Sequence, residues 1–349
     1  ITTRLVGSEM CIRDRPYNDI IRKFIDMYAG RLRNQVSFML SACNFYMPIF
    51  EEALDAYGLP LELRYLPIIE SALNPSAVSR AGASGLWQFM IGTGKIYGLE
   101  SNSLVDERRD PIKATWAAAR YLKEMYDIYG DWNLVIAAYN CGPGTINKAI
   151  RRANGETDYW KIYNYLPKET RGYVPAFIAA NYVMTYYCDH NICPMETNIP
   201  ASTDTVQVNK NLHFEQIADL CNVPLDQIKS LNPQYKKHMI PGDSKPYTLR
   251  LPIDAISTFI DKQDTIYAHR ADELFRNRKT VAVKEITPST RKTTAAVAGK
   301  GKLTYYTIKS GDTLSTIAGK YGVTIKDIQR WNGMSNTKIA AGKRLKIYK

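Results

Sequence analysis

The chain has 349 residues, with 46 Lys+Arg against 34 Asp+Glu and a formal charge of +12, enough for two or three domains. That charge suits polyanionic surroundings: nucleic acid, an acidic membrane face or an acidic cell-wall polymer. No Walker loop, dinucleotide fingerprint, zinc-type cysteine spacing or apolar run of about 18 residues is present, so nothing signals a cofactor, a metal or a helical membrane span.

Residues 1–15 read as translated sequencing-adapter sequence and are set aside. The true N-terminus, with any export signal or outer-membrane attachment, is then expected to be lost. Residues 16–57 carry apolar side chains at helical spacing (Ile20, Ile21, Phe24, Ile25, Tyr28, then Phe38 to Leu54) and are expected to be helical. Gly58 stops this run, Pro60 opens the next helix, and Pro67 kinks or restarts it near Leu66.

That helix ends on Glu70, a lone carboxylate among aliphatic residues in Leu66-Pro67-Ile68-Ile69-Glu70-Ser71. An acid beside apolar groups has its charged form disfavoured, which raises its pKa towards working pH, as a general acid requires. A glutamate on an exposed helix face would look the same over ten residues. A small-residue loop from Asn74 to Gly85 follows, then a short helix over Leu86–Tyr97. Asp110 and Pro111 form an N-cap and first helical residue for an Ala-rich helix to Tyr129. Asp106, Glu107 and Asp110 are expected as caps and surface ion-pair partners. Further helices are expected over 132–138, 146–152 and 176–187.

After Asn191 the texture changes to short apolar runs. Phe214, Ile217, Ala218, Ile228 and Asn232 recur one hundred residues later as Leu314, Ile317, Ala318, Ile328 and Asn332, each copy flanked by alternating strands. Two small β-α-α-β units result, at 204–253 and 303–349. Residues 254–302 between them are expected as a flexible basic linker, most strongly from Arg276 to Lys302. The six cysteines (11, 43, 141, 188, 193 and 221) form no disulfide framework, although Cys188 and Cys193 could approach across a turn. The four histidines lack metal-ligand spacing.

Three separated motifs resemble one family. Glu70-Ser71 with Asn74-Pro75, then Ser79 through Gly85-Leu86-Trp87-Gln88-Phe89-Met90, then Ala138-Tyr139-Asn140-Cys141-Gly142, are similar to the soluble-lytic-transglycosylase domain. Tyr173-Val174-Pro175 matches that family's late tyrosine. The resemblance spans about residues 45–190 of a domain at 16–200. It departs at Ile91, where a proline often stands, and at Cys141, where the residue is usually small. Ser310-Gly311-Asp312-Thr313-Leu314 with Trp331-Asn332 resembles a LysM module. The unit at 204–253 looks like a diverged relative without the Gly-Asp-Thr loop. The whole order resembles the D-type membrane-bound lytic murein transglycosylases of Gram-negative bacteria.

The resemblance implies a mainly α fold: a lysozyme-like, all-helical catalytic domain followed by two LysM-type modules. It implies non-hydrolytic cleavage of the peptidoglycan MurNAc-GlcNAc β-1,4 bond, leaving 1,6-anhydroMurNAc ends. Glu70 would serve as acid and then base. Ser79 and Gln88 would bond the sugar, Met90 would line the cleft, and Tyr139, Asn140 and Tyr173 would flank the scissile position. Trp87 is expected to pack beneath the loop. Gly311, Asp312, Thr313, Asn332, Gly333 and Met334 would form a glycan groove. The implied partner is peptidoglycan, with no nucleic acid, for a monomer in the cell envelope (periplasmic or outer-membrane-associated). The rival readings are a hydrolytic muramidase and a non-catalytic wall-binding scaffold. No Asp or Glu stands between Glu70 and Glu100, so the paired carboxylates of most glycosidases are not visible nearby.

Overall fold

The computed structural model describes residues 18–275, except 198 and 201, and residues 303–348, except 310, 333, 335, 336 and 338. The opening segment assigned to adapter sequence and the basic stretch 276–302 lie outside the described residues. The described chain is mainly helical. Two compact units separate, divided between Ile286 and Thr287.

The first unit begins with α1 (Asp19–Ala29), capped by Asn18, whose side chain accepts from the Ile20 and Ile21 amides at 3.1 and 3.0 Å. The expected single helix is broken at Gly30, where a Cβ would lie 2.8 Å from the Asp26 carbonyl. The chain therefore turns into a separate α2 (Arg33–Ala56). This break lets α1 pack along α9 (Lys168–Thr185). A 3-10 turn at Leu61–Tyr65 passes into α3 (Leu66–Ser71) at the restart Pro67 predicts. The helix expected over 86–97 is shorter, α4 (Ile91–Ile96). Residues 84–89 instead close a tight turn in which the Ser84 amide donates to the Phe89 carbonyl at 3.0 Å and Gln88 adopts φ +48°.

Asp110 and Pro111 start α5 (Pro111–Tyr129), with the Asp110 carboxylate on the Ile112 and Lys113 amides. Asp131 caps α6 (Trp132–Cys141), Gly142 separates it from α7 (Pro143–Arg152), and α8 (Tyr159–Ile162) leads to α9. One apolar core joins these helices, with Trp87 fully buried in it and its indole N–H on Thr115 Oγ1 at 2.9 Å.

Asp106 and Glu107 correct the surface assignment: they are only 1% and 5% exposed. Arg108, also buried, donates Nε and Nη2 to the two Asp106 carboxylate oxygens, each at 2.8 Å. Its Nη1 reaches the Gly82 and Phe89 carbonyls, again at 2.8 Å. Beside it, Gly85 sits at φ +89°, and a Cβ there would lie 1.8 Å from the Arg108 carbonyl oxygen. Gly85→Ala is therefore expected to cost about 3 kcal/mol or more through left-handed strain and backbone collision. Gly98→Ala, at φ +82° but facing open space, should cost about 1 kcal/mol. Thermal denaturation of the two variants side by side checks this, and equal losses would refute the collision.

The diverged module pairs β1 (Thr203–Val208) antiparallel with β4 (Tyr247–Pro252) around α10 (Phe214–Cys221) and α11 (Leu225–Leu231). A second short pair, β2 (Asn211–His213) with β3 (Met239–Pro241), was not expected. Nor is 254–275 part of a linker. It folds as α12 (Ile253–Asp261), α13 (Gln263–Ala268) and α14 (Ala271–Phe275), and Ala255, Phe259 and Ile266 enter the module's core. Those three apolar residues recur at helical spacing, which outweighs the charged residues between them. Cys188 and Cys193 are free thiols.

In the second unit β5 (Leu303–Thr307) pairs with β6 (Arg344–Tyr348) around α15 (Leu314–Tyr321) and α16 (Ile325–Asn332). The repeat is visible in one shared brace. Asn232 Nδ2 donates to the Ile228 and Arg250 carbonyls while its Oδ1 accepts from the Arg250 amide. Asn332 does the same with Ile328 and Lys346.

Candidate active site

Glu70 is the penultimate residue of α3, and the chain leaves the helix through Ala72 and Leu73, both left-handed at φ +52° and +59°. The turn is held by Ser71, whose Oγ donates to the Leu86 carbonyl at 2.9 Å and also lies 3.0 Å from the Pro67 carbonyl. The Glu70 carboxyl faces a cleft of about 420 Å³ lined from α1 and α2 by Tyr28, Leu32, Gln35 and Met39 and from the loop by Val78, Ser79 and Gln88. Among the described residues, Glu70 is the only carboxylate lining it. Burial pushes the Glu70 carboxyl up from its ordinary 4.5 to about 7. A hydrogen bond donated by the Tyr173 hydroxyl to Oε1 works in the opposite direction, and the Glu169 carboxylate adds to the rise. Glu169 is exposed in the first turn of α9 and does not line the cleft.

Burial, then the charge of Glu70, raises the phenols of Tyr139 and Tyr173 well above their usual range, so both remain protonated donors. The Tyr139 hydroxyl donates a hydrogen bond to the Trp87 carbonyl at 2.7 Å, tying α6 to the loop. Asn140 Oδ1 accepts from Thr170 Oγ1 at 2.9 Å. Ser79 is exposed at the loop's mouth, its Oγ accepting from the Ala83 amide at 3.0 Å. Gln88 donates Nε2 to the Gly85 and Ala77 carbonyls at 2.8 and 3.3 Å, which leaves Oε1 to accept. Met90 is 46% exposed just before α4 and does not line this cleft. Ser79 and Gln88 thus line the cleft with Glu70, and Tyr173 bonds to its carboxyl, while Tyr139, Asn140 and Met90 are not among the lining residues. The contributions from α1, α2 and the turn between them were missed in the sequence, where helical periodicity marked Tyr28 and Met39 and nothing marked Leu32 or Gln35.

A larger hollow of about 960 Å³ lies between α2, residues 73–75 and α11, and none of the expected site residues lines it. Among the described residues no cluster of metal-ligating side chains occurs, and no helix is long and apolar enough to cross a membrane.

Residues 47–162 match the family model of the transglycosylase SLT domain, 202–268 that of the lytic transglycosylase MltD LysM-like domain, and 306–347 that of the LysM domain. Over 336 residues the chain is 31% identical to the membrane-bound lytic murein transglycosylase D of Escherichia coli strain K12, covering 95% of this chain and 69% of that protein. The chain belongs to the membrane-bound lytic murein transglycosylase D family. It is also 33% identical over 124 residues to the soluble lytic murein transglycosylase of the same strain, covering 34% of this chain and 19% of that one. A solved structure, the 70 kDa soluble lytic transglycosylase in complex with bulgecin A, is similar at 26% identity and a TM-score of 0.39, over 48% of this chain and 28% of that one.

Within this family frame, the C-terminal module's expected groove residues divide. Gly311 is exposed at φ +87°, and Asp312 accepts at Oδ2 from Tyr306 Oη at 2.7 Å and from the Lys309 amide at 2.8 Å. Thr313 caps α15 in a reciprocal box with Thr316. Asn332 is engaged in the internal brace described above. Met334 packs, half-buried, against the module's core, and Gly333 lies outside the described residues.

Proposed function

We propose that this lytic transglycosylase cuts the MurNAc-GlcNAc β-1,4 bond of peptidoglycan without water, with Glu70 as both acid and base. The observation that supports this best is the lone buried carboxyl among the described residues of the cleft, pushed up to about 7 with a tyrosine hydroxyl on one oxygen. Protonated Glu70 gives its proton to the glycosidic oxygen as the bond from the muramyl C1 breaks. Positive charge builds on the sugar ring, and the substrate's own acetamido oxygen can shield it. The muramyl 6-hydroxyl then attacks C1 and returns its proton to Glu70. One C–O bond breaks and one forms, the enzyme regains its proton, and the product is a 1,6-anhydro end. Tyr173 stabilises the carboxylate between the two transfers, and Gln88 Oε1 and Ser79 Oγ are placed to accept from sugar hydroxyls or amides. The C-terminal LysM module holds the chain on the wall and raises local substrate concentration. The substrate places the enzyme in the cell envelope.

Activity is expected to fall as pH rises through about 7, when Glu70 loses the proton it must donate. Tyr173→Phe removes the bond that holds this pKa down. The falling limb of the pH profile should therefore move to higher pH while the maximal rate drops. A limb unmoved, or shifted to lower pH, would contradict the role given to Tyr173. The reaction itself is tested by mass spectrometry of muropeptides released from purified sacculi. Ends lighter by one water establish the anhydro product. Reducing ends make the enzyme a muramidase, and no release with binding retained leaves a wall-binding scaffold.

A further inference from the structure

The diverged module meets the catalytic domain through backbone. The Asp106 amide donates to the Gln234 carbonyl and the Lys236 amide to the Leu104 carbonyl, both at 2.8 Å, with Val105 and Tyr235 bridged antiparallel between them. Leu104 and Val105 are buried in the module's core, not the catalytic one. Lys236 Nζ donates to the Asn102 carbonyl at 2.7 Å and lies 3.7 Å from Asp106 Oδ2. Asp106 in turn grips Arg108 by both carboxylate oxygens, and Arg108 holds the Gly82 and Phe89 carbonyls at the two ends of the loop that carries Gln88. Arg109 adds a bond from Nε to the buried Ser84 Oγ at 3.0 Å. A contiguous set of buried and part-buried hydrogen bonds and ion pairs therefore runs from residues 234–236 of the module to the wall of the Glu70 cleft.

We propose that the diverged module serves as the scaffold of the substrate-binding loop, with Lys236 as a positioning residue that acts through Asp106 and Arg108. The activity arm of its test rests on the transglycosylase reading above, while the structural arm does not. The geometry of a cleft must be held closely, because an ångström of misplacement costs up to about 100-fold in rate. A charge network with every member bonded is a stiff way to hold it. Lys236 brings a cation from the module to the Asp106 carboxylate, 3.7 Å from Oδ2. The same interface offers a control: Lys245 Nζ sits 2.6 Å from Glu100 Oε2, half-exposed, and pairs with Glu100 rather than with Asp106.

The experiment compares full-length wild type, Lys236→Met, Lys236→Arg and Lys245→Ala. It measures amide hydrogen exchange over residues 79–89, kcat and KM on a soluble uncross-linked glycan oligomer, and sedimentation with sacculi. Lys236→Met should speed exchange in 79–89 and lower kcat about 10-fold, with KM and sedimentation little changed. Lys236→Arg should restore both, and Lys245→Ala should leave both at wild-type values. Unchanged loop exchange in Lys236→Met would overturn the proposal, as would equal loosening in Lys245→Ala. If the wild type shows no cleavage, the enzymatic reading fails, and the exchange data alone still decide whether the module braces the loop.

Discussion

Glu70→Gln is expected to lower cleavage by at least about 1,000-fold, since one group carries both proton transfers and each such role is worth roughly 100- to 10,000-fold. The same substitution should make the protein more stable at neutral pH. The folded Glu70 carboxyl titrates near 7 against an ordinary 4.5, so the native state holds a proton that the unfolded chain releases. Its contribution to stability is fully present below about 4.5 and is lost as pH rises through about 7. Above 7 the ionised group costs roughly 2–3 kcal/mol, after allowance for water reaching the cleft-facing oxygen. Glutamine removes that cost. The melting temperature of the variant should therefore match the wild type near pH 4 and exceed it by about 5–10 °C at pH 8. Sedimentation with sacculi should be unchanged. A variant less stable than wild type at pH 8 would mean that the carboxylate is well solvated and is not the poised acid described above.

Arg108→Met is the second large effect, and it acts on stability. Burial pushes the Asp106 carboxyl up, but the bonds and charge of Arg108, with Lys236 and Arg109, outweigh burial and hold it below its ordinary 3.8. Removing one member of a buried pair leaves the other charge uncompensated, which costs about 3–5 kcal/mol, and here the Gly82 and Phe89 carbonyls lose a donor as well. Wild-type stabilisation from Asp106 is present above about 3.8 and is lost as pH falls through its lower folded value. In the variant the sign reverses: with burial no longer opposed by Arg108, Asp106 is expected to be pushed up, so the deficit should grow with pH. Asp106→Asn combined with Arg108→Met should recover part of the loss, because no carboxylate then remains to be buried. Chemical denaturation at pH 5 and pH 8 measures both effects. A single-variant loss below 1 kcal/mol at pH 8 would show that water reaches this pair.

The sequence signals that succeeded were local. Asp110 caps a helix because its short side chain reaches the first amides, Pro111 follows at the first helical position, and Pro67 marks the restart of α3. Glu70 stood out because a carboxylate between apolar residues has few structural uses. The offset of one hundred residues located both modules, down to the paired Asn232 and Asn332. The failures were long-range. Asp106, Glu107 and Arg108 are residue types that usually stay in water, and nothing within a few positions shows that each meets a partner inside. The cleft wall from Tyr28 to Met39 is assembled only when α1 turns back at Gly30. The turn at 84–89 replaced a helix because Gln88 takes a left-handed backbone and folds its own side chain onto Gly85 and Ala77, which no periodicity records.

Leu104 and Val105 have a further consequence, for the order in which the molecule is made. They lie in the middle of the helical domain yet are buried among side chains that reach as far as Phe259 and Ile266. During synthesis the N-terminal part of a chain folds first. Here that part emerges with two apolar side chains, and the edge of a backbone bridge, that stay uncovered until roughly a hundred and fifty more residues have been added. A message broken off near residue 200 would therefore yield a product that holds Glu70 but leaves Leu104 and Val105 without the core that buries them.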